Sequence, residues 1–151
     1  ADLPFPAIEL RELGGDVWRI PDEEHRTLFL RSWAAWCGPC REEASVVERL
    51  AAGFADREDV LFAYLSVDAS ESDVIELMAR GEEPPLGFLV GGRSLLGEAL
   101  PSVPTTWIVD GRGRIVAVQQ GAATADPDGW LRGAREALLA AAAGPASPPA
   151  D

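Results

Sequence analysis

Two largely apolar runs, Thr27-Leu28-Phe29-Leu30-Arg31-Ser32-Trp33 and Val60-Leu61-Phe62-Ala63-Tyr64-Leu65-Ser66-Val67, flank a stretch in which Ala44, Val47, Ala51 and Phe54 recur at spacings of three, four and three. Runs of this length without polar alternation are those of strands covered on both faces, and the spacing between them is that of an amphipathic helix. Strand, helix and strand in that order form a parallel pair joined by a crossover. The βαβ unit places the chain in the α/β class.

The remaining segments extend this unit. After an extended lead-in at Asp2-Leu3-Pro4-Phe5-Pro6, Ile8 to Leu13 alternates and meets Val17 to Ile20 across Gly14-Gly15-Asp16, a hairpin signal. Pro21 to His25 reads as a polar loop. Ser72 to Arg80 reads as a helix stopped by Gly81 and Pro84-Pro85, Leu86 to Val90 as a short strand, and Ser94 to Leu100 as a short helix ended by Pro101. Thr105 to Asp110 and Ile115 to Gln119 flank Gly111-Arg112-Gly113 and predict a second antiparallel hairpin. Asp126-Pro127 supplies a cap and a first-turn proline to a final helix whose inward stripe is Leu131, Ala134, Leu138 and Ala141. Residues 1–143 are expected to form one domain. Gly144 to Asp151 has nothing to bury and is expected to be a disordered tail.

Composition then removes several functions. A chain of 151 residues at 47% hydrophobic can bury one real core. Its 13 basic and 25 acidic residues give a net charge of −12, which repels phosphate backbones and anionic lipid head groups, so no nucleic-acid partner is expected. Every basic residue is Arg, which excludes lysine Schiff bases and P-loops. A single His leaves Ser-His triads and most metal sites without material. The longest apolar stretches fall well short of the roughly 20 residues of a membrane span. The chain opens at Ala1 with no Met and no basic, apolar leader, a start that suits a trimmed exported precursor and equally a cut fragment.

The chemistry sits in Trp36-Cys37-Gly38-Pro39-Cys40, which contains both cysteines and lies where a buried strand gives way to a helix. Cysteines three positions apart on a first helical turn point the same way, near enough to close a disulfide. Cys37 at the helix start faces unpaired backbone N–H groups and the positive end of the dipole, which favour a thiolate nucleophile. Cys40, one turn in and screened, is placed to attack the mixed disulfide and release the product. Pro39 presets a helical φ and lacks the N–H that would be orphaned there. A zinc knuckle or two inert thiols are the competing readings, and the chain has no second cysteine pair for a zinc site.

On these residues the chain resembles the thioredoxin superfamily and, within it, the exported TlpA/ResA branch. The resemblance spans about Ile8 to Ala143. It rests on Ser32-Trp33-Ala34-Ala35-Trp36-Cys37-Gly38-Pro39-Cys40-Arg41-Glu42-Glu43, on Val103-Pro104-Thr105-Thr106 with the apolar strand to Asp110, and on the Gly-rich turn that follows. The leading hairpin and the strand-helix insertion from Leu86 to Leu100 resemble that branch and not a minimal thioredoxin. The resemblance implies a thioredoxin-like central mixed β-sheet flanked by helices. It implies a thiol-disulfide oxidoreductase whose redox group is its own Cys37/Cys40 dithiol, with no other cofactor and no metal. It implies a monomer that reduces protein disulfides, for example in cytochrome c maturation, and takes electrons from an upstream thiol reductant such as a membrane thiol-disulfide transporter. An extracytoplasmic location, periplasmic or membrane-tethered, follows from the resemblance alone.

The resemblance further implies a cis Val103-Pro104 bond beside the cysteines, with the Val103 backbone free to pair with an extended substrate, and a surface Trp36 next to the nucleophile. Trp33, Trp18, Trp107 and Trp130 are expected to pack. Glu43, three residues after Cys40, resembles an active-site Glu of the ResA branch that could move protons to or from Cys40, and reads equally as a solvated first-turn acid. Arg31 departs from the pattern, because thioredoxins carry a buried Asp there and the TlpA/ResA branch commonly an Asn, and a guanidinium does not deprotonate. The expectation is that Arg31 snorkels to an acid at the sheet end, the competing reading being an inward turn that pairs it with Glu43. His25 is expected to be solvated. Two further functions fit the motif: a general thioredoxin or an oxidant, and a copper-binding module using Cys37 and Cys40 as soft ligands, whose distal His this chain lacks after the cysteines.

Overall fold

In the computed structural model, which describes residues 3–68, 71–82, 84–90 and 103–144, the two apolar runs are neighbouring parallel strands. In chain order the elements are β1 (Leu3–Pro4), β2 (Ile8–Glu12), β3 (Val17–Ile20), β4 (Thr27–Trp33), α1 (Gly38–Glu42), α2 (Ala44–Ala52), β5 (Val60–Ser66), α3 (Glu71–Ala79), β6 (Phe88–Val90), β7 (Thr105–Val109), β8 (Arg114–Gln120), a 3-10 turn (Ala123–Ala125) and α4 (Pro127–Ala143). The strands make one mixed sheet in the order β1-β8-β7-β4-β5-β6-β2-β3. Here β4 and β6 run parallel to β5, and the remaining pairs are antiparallel.

All seven residues of β4 are buried, as expected for a strand with both faces covered. Its alternation divides the core. Phe29 and Trp33 face the helices and join Tyr64, Ile108, Val47, Leu50, Ala134 and Leu138. Leu28 and Leu30 face the other way, with Ala63, Leu65, Leu89, Trp107 and the hairpin residues Leu10 and Ile20. Each fully buried side chain such as Phe29 or Leu138 contributes about 1.5–3 kcal/mol relative to exposure. Both expected hairpins form, with registers that include Leu10↔Trp18 and Trp107↔Val118. Gly111 lies so close to the His25 carbonyl that a Cβ there would overlap it. Asp126 caps α4 by accepting from Gly129 N at 3.2 Å, and Pro127 opens the helix as read from the sequence.

Four details differ from the sequence reading. The lead-in is a short edge strand, with Leu3 opposite Ile115, and an edge tolerates the missing N–H of Pro4. β6 starts two residues later than expected, at Phe88. The stretch after Pro39 is two helices and not one, meeting at Glu43 with φ −88° and ψ 2°. Hydrogen bonding continues through that junction, Glu43 N donating to Pro39 O and Glu43 O accepting from Val47 N, so the axis bends without breaking. Finally, Asp22 in the polar loop is buried. The helix expected at Ser94–Leu100 and the expected tail beyond Gly144 lie outside the described residues.

Asp22 makes a prediction of its own. Its carboxylate accepts from Glu24 N at 3.2 Å, Arg26 N at 3.0 Å, Arg26 Nε at 2.8 Å and Arg26 Nη2 at 3.1 Å. Burial pushes the Asp22 carboxyl up, but the bonds and charge of Arg26 outweigh it, and the net direction is down. A lowered folded value gives stability that is present above the unfolded carboxylate range and is lost as the pH falls through the folded one. Asp22→Asn is therefore expected to cost about 1.5–3 kcal/mol at neutral pH, the worth of a charged hydrogen-bonded group. Urea unfolding should show that cost at pH 7 and little of it well below about pH 4, where the wild-type carboxyl is itself protonated. An equal cost at both values would contradict it.

Candidate redox site

β4 delivers the chain to the site. Past Trp33, the Ala35 N–H is held by Asp68 Oδ1 at 3.0 Å, and Trp36 is turned outward with 62% of its surface exposed. Cys37 is the N-cap of α1, in extended backbone geometry, and Cys40 lies one turn inside with a Cα–Cα distance of 5.3 Å. The two are joined as a disulfide. The Cys40 backbone N–H donates to Cys37 Sγ at 3.2 Å, so an orphan amide of the helix start points at that sulfur. Cys40 is fully buried, whereas Cys37 keeps 4% exposure.

The segment before β7 closes the other side. The Val103–Pro104 bond is cis, and the Val103 carbonyl oxygen lies 4.0 Å from Cys37 Sγ. Gly121 N donates to Pro104 O at 2.9 Å, which ties the turn after β8 to this segment. The site thus brings Trp36, Cys37, Gly38, Pro39, Cys40, Val103 and Pro104 together. Trp33 packs inside against Phe88 and Tyr64, with ring centroids 4.7 and 5.8 Å away. His25 is exposed, with Nδ1 3.0 Å from Gly111 O, and stands apart from the cysteines in a left-handed backbone conformation.

Arg31 and Glu43 correct the sequence reading. Arg31 does not snorkel, and Glu43 is not solvated: both side chains are fully buried. Arg31 Nε donates to Glu43 Oε2 at 2.5 Å and Nη2 to Oε1 at 2.9 Å, a bidentate pair. The same guanidinium donates through Nη1 to Thr106 Oγ1 and through Nη2 to Gly121 O at 2.9 Å, and it sits 4.9 Å from the Trp130 ring centroid. Glu43 Oε1 also accepts from Ala123 N at 2.9 Å. The physical reason is parity combined with the bend: Arg31 shares its strand face with Phe29 and Trp33, and the α1–α2 junction turns Glu43 toward that face. Burial of the ions is offset because both Glu43 oxygens and four of the five Arg31 N–H donors are hydrogen-bonded. Tyr64 lies opposite Arg31 on β5, and its hydroxyl is buried without a hydrogen-bond partner among the described residues. Burial and the Glu43 carboxylate push the Tyr64 phenol well above the ordinary tyrosine range, with Arg31 opposing.

Sequence reasoning missed a second set of residues. A cavity of about 220 Å³ adjoins Cys40 and is lined by Trp33, Arg41, Ala44, Leu77, Glu82, Pro84 and Pro85. Arg41 and Glu82 form an ion pair across it, with Nη2 2.6 and 2.7 Å from the two carboxylate oxygens. The sequence showed Pro84-Pro85 only as a helix stop, because their approach to Cys40 is a tertiary contact.

A model of the redoxin family matches residues 1–132. The chain belongs to the redoxin family. This redoxin is similar to thioredoxin-like protein YneN of Bacillus subtilis, 29% identical over 121 residues that cover 79% of this chain and 71% of the relative. It is 28% identical to thiol-disulfide oxidoreductase ResA of Oceanobacillus iheyensis over 136 residues, 83% of this chain and 68% of that protein. Its fold is shared with a crystal structure from Chlorobium tepidum described as a thiol:disulfide interchange protein DsbE, at a TM-score of 0.73 and 20% identity, covering 93% of this chain and 96% of the other. The redoxin is a thiol-disulfide oxidoreductase with a thioredoxin-like α/β fold, and it resembles the ResA/TlpA-like branch.

Proposed function

We propose that this redoxin reduces disulfides in protein substrates outside the cytoplasm, with Cys37 as nucleophile and Cys40 as resolving thiol. The observation that carries the reading is the placement of Cys37 Sγ at a helix N-cap, under the Cys40 N–H and beside the Val103 carbonyl. In the reduced protein the Cys37 thiolate attacks one sulfur of the substrate disulfide. A Cys37–substrate disulfide forms and the other substrate sulfur leaves as thiolate, taking up a proton. Cys40, losing its proton, then attacks Cys37 Sγ, closes the Cys37–Cys40 disulfide and expels the second substrate thiolate. Two electrons have passed to the substrate, and an upstream thiol reductant must return them. The Val103 backbone, Pro104 and Trp36 receive the substrate segment, and Glu43, three residues after Cys40, is the group proposed for proton transfer at Cys40.

Residues 1–143 serve as the functional unit, acting as a monomer, with 144–151 a tail. Cytochrome c maturation, with apocytochrome cysteines as substrate and a membrane thiol-disulfide transporter as donor, is the physiological setting that the likeness to ResA supports. No described helix is long and apolar enough to cross a membrane.

The reducing direction rests on Gly38-Pro39, the dipeptide of reducing thioredoxins. The negative charge of exposed Glu42 also restrains thiolate stabilisation, whereas Glu43 does not contribute to this effect because Arg31 neutralises it. Equilibration of the dithiol with a glutathione series tests the direction. A midpoint near the thioredoxin value of about −270 mV is expected, and one near the roughly −120 mV of a strong periplasmic oxidant would overturn it.

A further inference from the structure

We propose that Arg31 is a positioning residue that locks the Val103–Pro104 segment to the cysteine-bearing helix, fixing the width of the cleft in which a protein disulfide docks. The proposal rests on the disulfide-reductase reading above and adds to it a residue with no direct contact to substrate.

The argument lies in where the guanidinium bonds go. Four of its five N–H donors are used. Two grip Glu43, which stands at the α1–α2 junction three residues after Cys40. One goes to Thr106, two residues past Pro104, and one to the Gly121 carbonyl. Gly121 in turn donates its own N–H to Pro104 O, and Ala123 N donates to Glu43. Each acceptor therefore belongs to a segment that carries, or is hydrogen-bonded to, one wall of the redox site, and Arg31 is the group they share. A group that only filled the core would not need to reach acceptors in three directions. A lysine could not replace it, because its donors radiate from one nitrogen and lack the planar fork.

The consequence is geometric. The Val103 oxygen sits 4.0 Å from Cys37 Sγ, and a displacement of about 1 Å at such a place costs on the order of 100-fold in reaction rate. Substrates that must pair with the Val103 backbone feel that displacement, whereas a small disulfide that only meets the sulfur feels it less.

Thr106→Val removes one acceptor while keeping the side chain's shape, and Thr106→Ser restores the hydroxyl. With insulin and hydroxyethyl disulfide as probes, Thr106→Val is expected to lower the ratio of their kcat/KM values about tenfold, mainly through the KM for insulin. Hydrogen exchange at the Gly121 amide is expected to rise at least tenfold, and Thr106→Ser should return both readouts toward wild type. An unchanged ratio together with unchanged Gly121 exchange would overturn the proposal, even if global stability drops. Should Thr106→Val not fold, Arg31→Met combined with Glu43→Leu removes both charges at once and is read by the same two measurements, with the same outcomes deciding. Should the unaltered protein reduce neither probe, the functional reading fails, and Gly121 exchange still decides whether Arg31 clamps the segment.

Discussion

Cys37→Ser is expected to abolish disulfide turnover, a loss on the order of 10⁴-fold or more, as for removal of other enzyme nucleophiles. A serine hydroxyl at the N-cap keeps the helix start intact, since Ser is among the preferred capping residues, so the loss will not reflect misfolding. Cys40→Ser is expected to fail differently. The first attack still proceeds, but no thiol follows, and the protein remains joined to its substrate through Cys37. Non-reducing electrophoresis with a disulfide substrate should show that adduct for Cys40→Ser and not for Cys37→Ser. The reverse pattern would exchange the two roles.

The second large effect concerns the buried ion pair. Glu43→Gln leaves the Arg31 charge in the core without a counter-ion, and the expected destabilisation is about 3–5 kcal/mol. Arg31→Asn strands the Glu43 carboxylate and is expected to cost a similar amount. The exposed Arg57–Asp59 pair, with 37% and 48% of its side chains in solvent, offers the internal contrast: solvent screens it, and breaking it should leave stability nearly unchanged. In the double variant neither charge is left alone, so the combined loss should fall short of the sum by roughly 0.5–3 kcal/mol. Unfolding free energies of the four proteins check this. Strict additivity would mean that Arg31 and Glu43 do not act as a pair.

The βαβ unit was legible because the length and period of its runs are local properties, and the cysteine pair because its spacing at a strand-to-helix junction has few meanings. The cis Val103–Pro104 bond came through resemblance, not through anything local to the chain. Arg31 shows where local reasoning stops. Strand alternation alone puts it on the face of Phe29 and Trp33, beneath the helices, yet its charge argues for an escape to solvent. What reverses that balance is a carboxylate twelve residues later, turned inward by a helix bend that apolar periodicity does not show. Thr106, Gly121 and Ala123 were invisible as site residues for the same reason, since their contribution is a hydroxyl, a carbonyl and an amide brought together by the sheet. Asp22 was read as loop polarity, and its burial depends on Arg26 folding back over it.

The central claim is that Cys37 is the reactive sulfur and Cys40 the screened one. Timed alkylation of the fully reduced protein with iodoacetamide, followed by peptide mass mapping, tests it most directly. Cys37 at the helix start should be modified first, with Cys40 lagging well behind because it is buried beneath the first turn. Faster labelling of Cys40, or equal rates at the two positions, would contradict the account.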